Sequence, residues 1–158
     1  MRYGLIIPTI GHGATDIIDM PIQTICTHFM CFFYINYLNT FSKKIILVIA
    51  SIIHISKDMQ WKYSIMFHSI IIKWPIIAKL YFSIYHTPLH YIRTFSYTGF
   101  YKNCLKISTS VLTTITSYFV IKNNYDNYLN NILGDYWWVS PVIGHIILNT
   151  IQHQISYN

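Results

Sequence analysis

Eight histidines and five aspartates carry most of the chemistry this sequence offers, since it contains no glutamate and only three cysteines. Neutral imidazole is the commonest protein ligand for ions such as Fe(II), Zn(II) and Cu(II). The placement of His12, His28, His54, His68, His86, His90, His145 and His153 therefore decides what can be built. His86-Thr87-Pro88-Leu89-His90 sets two imidazoles four residues apart, on one face of a helix, where two ring nitrogens can converge on one ion. Two packed histidines would give the same spacing. Pro88 removes a backbone donor inside that pair and bends any helix running through it. In Gly11-His12-Gly13-Ala14-Thr15-Asp16 a carboxylate follows His12 by one helical turn, and Asp58 follows His54 at the same distance. A carboxylate so placed can accept the second N–H of a metal-bound imidazole. The alternative for Asp16 is a helix N-terminus, where it serves the backbone or the dipole. His68 and His145 read as helix-packing histidines, and His28 and His153 as background.

The elements that must position these groups are apolar. The chain has 158 residues, read as one helical domain over 1–158, with 53% hydrophobic, 17% aromatic and only 10% charged residues. Soluble domains carry about 25% charged residues, and the mean hydropathy here is +0.37. Disorder needs the opposite balance, and a long coiled coil needs glutamate and alanine that this chain lacks. Met20 to Ser42 holds no charge and matches the roughly 20 residues of a bilayer-crossing helix. Ile45 to Ser56 is charge-free but shorter. Tyr63 to Tyr85 is long enough to cross, yet carries Lys73, Pro75 and Lys79. Ile107 to Ile121 is rich in Thr, Ser, Val and Ile, a composition that also suits a strand. Tyr136-Trp137-Trp138 opens the last apolar run, to Ile151, like an interfacial belt. These runs predict an all-α, multi-pass transmembrane bundle of four to six helices, integral to the membrane, with the lipid bilayer as its surroundings.

The net charge of +6 does not point to nucleic acid. Nucleic-acid binders gather Lys and Arg on one face, whereas here they stand singly or in pairs beside the apolar runs, as span-flanking residues do. No nucleic-acid partner is expected. Cys26, Cys31 and Cys104 form no CxxC and read as small apolar residues between helices.

Taken in order, Gly11-His12-Gly13-x-x-Asp16, Ser51-x-x-His54 with Asp58, and His86-Thr87-Pro88-x-His90 resemble the Brp/Blh family of integral-membrane β-carotene-cleaving dioxygenases. The resemblance implies a multi-pass helical protein in which His12, His54, His86 and His90 hold a non-haem Fe(II), with Asp16 orienting His12 and Asp58 orienting His54. It implies an apolar polyene as substrate, split by O2 into two aldehydes. Phe67, Trp74, Tyr81, Phe82 and Tyr85 could line a hydrophobic slot for it. Ile55-Ser56 stand where the family pattern has Phe-Gly, and the aspartate falls one residue early, which leaves His68 a rival to His54 as the second ligand. A second reading also fits. Ile, Asn, Tyr and Lys are abundant while Ala and Gly are scarce, as in the AT-rich genomes of large DNA viruses and parasites, whose many small multi-pass membrane proteins include non-enzymatic ones. A soluble isoleucine-rich domain is the third.

Overall fold

A computed structural model describes residues 13–95 and 99–156. Among them every regular element is helical and there is no strand. The all-α expectation holds, and the Ile107–Ile121 segment lies inside a long helix.

The helices are shorter than the apolar runs suggested, and each interruption has a local cause. After a single turn, α1 (Asp16–Asp19), the chain enters α2 (Pro21–Asn36), with Pro21 in the first turn where its missing N–H costs nothing. The Asn39 side chain then accepts a hydrogen bond from the Ser42 N–H at 2.9 Å and caps the start of α3 (Thr40–Ile55). The stretch Met20 to Ser42 is thus two helices rather than one crossing. The 16 residues of α2 rise about 24 Å, less than a hydrocarbon core of about 30 Å.

The Tyr63–Tyr85 run divides in the same way. Helix α4 (Trp61–Lys73) ends at Trp74, whose φ of −125° and ψ of 82° lie outside the helical region, as expected for a residue preceding proline. Pro75 then opens α5 (Pro75–Leu80), which passes into a π-helical turn over Tyr81–His86 and on into α6 (Thr87–Phe95). Pro88 explains the widened turn. It offers no N–H to the Ile84 carbonyl and its ring would crowd that group. The turn opens to a five-residue spacing, with the Thr87 N–H donating to the Phe82 carbonyl.

Helices α7 (Phe100–Lys122), α8 (Tyr125–Leu133) and α9 (Val139–Ser156) complete the described chain. Among the described residues only α7 has the length and apolar character of a membrane span, so helix length supports one crossing and not the expected multi-pass bundle. Before α9, Gly134 and Tyr136 have positive φ, 80° and 63°. Lys43 Nζ donates to the Asp135 carbonyl at 3.1 Å and Lys44 lies over the Tyr136 ring, which together hold this bend against the start of α3.

Helix α9 is the organising element. It packs along α2 and α3 and touches α1. Cys31 and Ile35 from α2 meet Val139 and Ile143 from α9 in the apolar core, flanked by Leu38, Leu47, Ala50 and Trp138. Elsewhere the usual distribution is reversed. Among the described residues twelve buried ones are polar or charged and eight are hydrophobic, while Phe29, Phe33, Ile72, Ile84, Phe100 and Leu112 face outward. Lys106, fully buried on α7, pairs with Asp19 of α1 at 2.6 Å.

Candidate metal centre

Three of the four histidines expected as ligands come together. His54, His86 and His90 each offer a ring nitrogen, and these atoms all lie within 4.8 Å of one another. His54 stands on the last turn of α3, His86 closes the π-helical turn, and His90 follows one turn later on α6. The α3–α4 hairpin aims His54 at the other two. Its halves are joined by the Ser64 hydroxyl, which donates to the Ile52 carbonyl at 2.8 Å.

His54 Nε2 and His86 Nε2 are 3.2 Å apart. Two nitrogens bound to one tetrahedral ion at about 2.0–2.1 Å would be about 3.3 Å apart, so the spacing fits a shared ion. It equally fits one imidazole donating to the other. The His86 and His90 rings are 4.4 Å apart between centroids, and the His54 ring is 5.0 Å from His86 and 5.3 Å from His90. His12 lies outside the described residues.

Both aspartates serve imidazoles, and Asp58 serves a different one from that expected. Asp58 was expected to orient His54. Helix α3 ends at Ile55, so Asp58 leaves the helical face it would have shared with His54 and sits in the following turn. Its wholly buried carboxylate instead accepts from His86 Nδ1 at 2.6 Å and from the Tyr81 hydroxyl at 3.3 Å, with His90 Nε2 at 3.9 Å. That hydrogen bond fixes the proton of His86 on Nδ1 and leaves Nε2 with its lone pair toward His54. Asp16, expected beside His12, accepts from His145 Nδ1 at 2.7 Å across 129 residues of sequence.

His145, expected as a helix-packing histidine, does make a hydrogen bond between helices, from α9 to Asp16 of α1. It is buried on α9, and its ring lies 5.4 Å from that of His54. Gly13 admits it: a Cβ there would approach the His145 ring to 3.2 Å. The only signal in the sequence is Gly13, three residues before Asp16.

His68, the rival second ligand, does not join the cluster. Its Nδ1 donates to the Ser64 carbonyl within α4 at 2.7 Å and its Nε2 accepts from the Ser51 hydroxyl of α3 at 2.9 Å, so both nitrogens are already engaged. Lys57 ties the α3–α4 turn to α9 by donating to Asn149 Oδ1 and Thr150 Oγ1, at 3.2 and 3.1 Å. Burial lowers the pKa of this ammonium, and the neighbouring Asp58 carboxylate works against that shift.

His54 and His86 also face a cavity of about 350 Å³ whose other walls are mostly aliphatic and aromatic, including Leu47, Val48, Ile71, Ala78, Phe82 and Trp138. Of the aromatics expected to line a slot, Phe82 does so. Tyr81 is turned to Asp58 and packs at a tilt against Phe67, while Trp74 and Tyr85 are about half exposed. A second cavity, about 360 Å³, shares Val142 and His145 with the first and includes Thr24, His28, Thr109 and Thr113.

No protein-family model, curated protein or solved structure matches the chain. The class that can be stated from its own geometry is an all-helical protein with three histidines close enough to bind one metal ion.

Proposed function

We propose that this chain is a membrane-embedded, non-haem iron protein that cleaves an apolar polyene. The observation that carries the reading is the convergence of His54, His86 and His90 at the wall of an apolar cavity. Neutral imidazoles are suited to Fe(II), and three of them leave coordination positions open. Fe(II), when bound, supplies a place for O2 beside the reacting double bond.

The residues of the chain do the rest. Asp58 holds His86 in the tautomer that presents Nε2 and, through the Tyr81 hydroxyl, links α5–α6 to the α3–α4 turn. Leu47, Val48, Ile71 and Phe82 bind apolar chain and keep water from the reacting bond. In the overall reaction the C=C bond breaks and each carbon takes one oxygen atom of O2, giving two aldehydes with no outside reductant. A cavity of about 350 Å³ takes the part of a long substrate around the reacting bond.

The outward apolar surface supports the bilayer. Ile22, Phe29, Tyr34, Phe41, Ile72 and Ile84 are each more than 60% exposed, which would be costly in water but not against lipid tails. Shorter helices are accommodated where they are buried among neighbours or where the bilayer thins around them.

Iron content tests the reading. Purified in detergent, the wild-type chain should hold near-stoichiometric iron, and the double variant His86→Ala, His90→Ala should hold none. Expression in β-carotene-producing bacteria should bleach their orange colour. A wild type that binds no metal, or full colour beside abundant protein, favours instead the non-enzymatic small membrane protein.

A further inference from the structure

We infer that His145, held by Asp16, is the fourth imidazole donor of the metal centre, so that the centre joins α9 to α3 and α6. This rests on the metal reading proposed above.

Three observations carry it. The first is distance. An imidazole bound through nitrogen puts its ring centre about 3 Å from the ion, so neighbouring ligand rings stand about 5 Å apart. The His145 ring is 5.4 Å from His54, close to the 5.3 Å between His54 and His90, and it lies beside, not within, the group whose ring nitrogens are all within 4.8 Å of one another. The second is tautomer. Asp16 accepts from His145 Nδ1 at 2.7 Å as Asp58 accepts from His86 Nδ1 at 2.6 Å, so each ring keeps its lone pair on Nε2. The Nε2 atom of His145 is itself buried, and the ring shares the wall of one cavity with His54 and His86. The third is charge. The Asp16 and Asp58 side chains are only 8% and 0% exposed. A carboxylate withdrawn from water needs positive charge close by; Asp58 has the neighbouring Lys57 ammonium, and a divalent ion bound by His145 would supply it for Asp16.

The test uses the full chain in detergent with Co(II) and Cu(II) as probes. His145→Ala should weaken Co(II) binding at least 10-fold, and Asp16→Asn by about 10–100-fold, the usual effect of removing a carboxylate behind a ligating histidine. In Cu(II)-loaded protein the number of nitrogens coupled to the copper should fall by one in His145→Ala. Added imidazole should restore both readouts, because the space left opens on the second cavity; this separates a lost ligand from a damaged fold. His68→Ala should leave both unchanged. Wild-type affinity and nitrogen count in His145→Ala, with binding abolished in His86→Ala, would overturn the inference and leave the trio standing. No metal binding by the wild type would remove the trio and the inference together.

Discussion

Two imidazole–carboxylate pairs of nearly equal length lie side by side in this molecule, yet they are assembled in different ways. His86–Asp58 spans 28 residues and is built within one run of chain, by a hairpin and a widened turn. His145–Asp16 spans 129 residues and needs α9 to lie back along the first helices. The same hydrogen bond is a local matter in one case and a product of the whole fold in the other. Whatever loosens the packing of α9 should therefore affect the second pair before the first.

The largest effect should come from the local side. Removing His86 and His90 together should abolish metal binding, a loss well beyond 100-fold, measurable by Co(II) titration; metal retained by that variant would break the comparison. Next, Asp19→Asn should cost about 3–5 kcal/mol of stability, because it leaves Lys106 charged and buried. If the two pairs differ as described, this loss appears in thermal unfolding while each folded molecule keeps its local trio. Asp58→Asn should weaken metal binding about 10–100-fold without a comparable change in unfolding. A chelator should lower the stability of the wild type by about 2.7 kcal/mol, relative to metal at 100 times its Kd. A melting temperature indifferent to chelator would mean that no metal bridges the two regions. The smallest expected effect is at Ser51→Ala, which removes the hydroxyl donated to His68 and should cost about 1 kcal/mol with metal affinity unchanged.

The same division separates what the sequence discloses from what it conceals. Helical class was legible because charge-free apolar runs leave few alternatives, and the pairing of His86 with His90 was legible because four residues is one turn. The interruptions were harder. Pro75 was visible in its run, but Asn39 marked a helix start only through a side-chain hydrogen bond made in the folded chain. Asp58 was assigned to His54 by helical spacing, and the assignment failed because α3 stops at Ile55. The partnership of Asp16 with His145 leaves no periodicity at all. Such contacts are set by which faces of α1 and α9 pack, and the close approach at Gly13 is their only local trace.

The span of 129 residues between Asp16 and His145 also has a meaning in time. At about 5–20 residues per second of synthesis, Asp16 waits roughly 6 to 26 s for its partner to be made. The His54, His86 and His90 cluster is complete well before that. An ion captured early would sit in a half-built cage with one side open to exchange. In the four-imidazole centre proposed above, commitment to a particular ion would wait until α9 brings His145 to it.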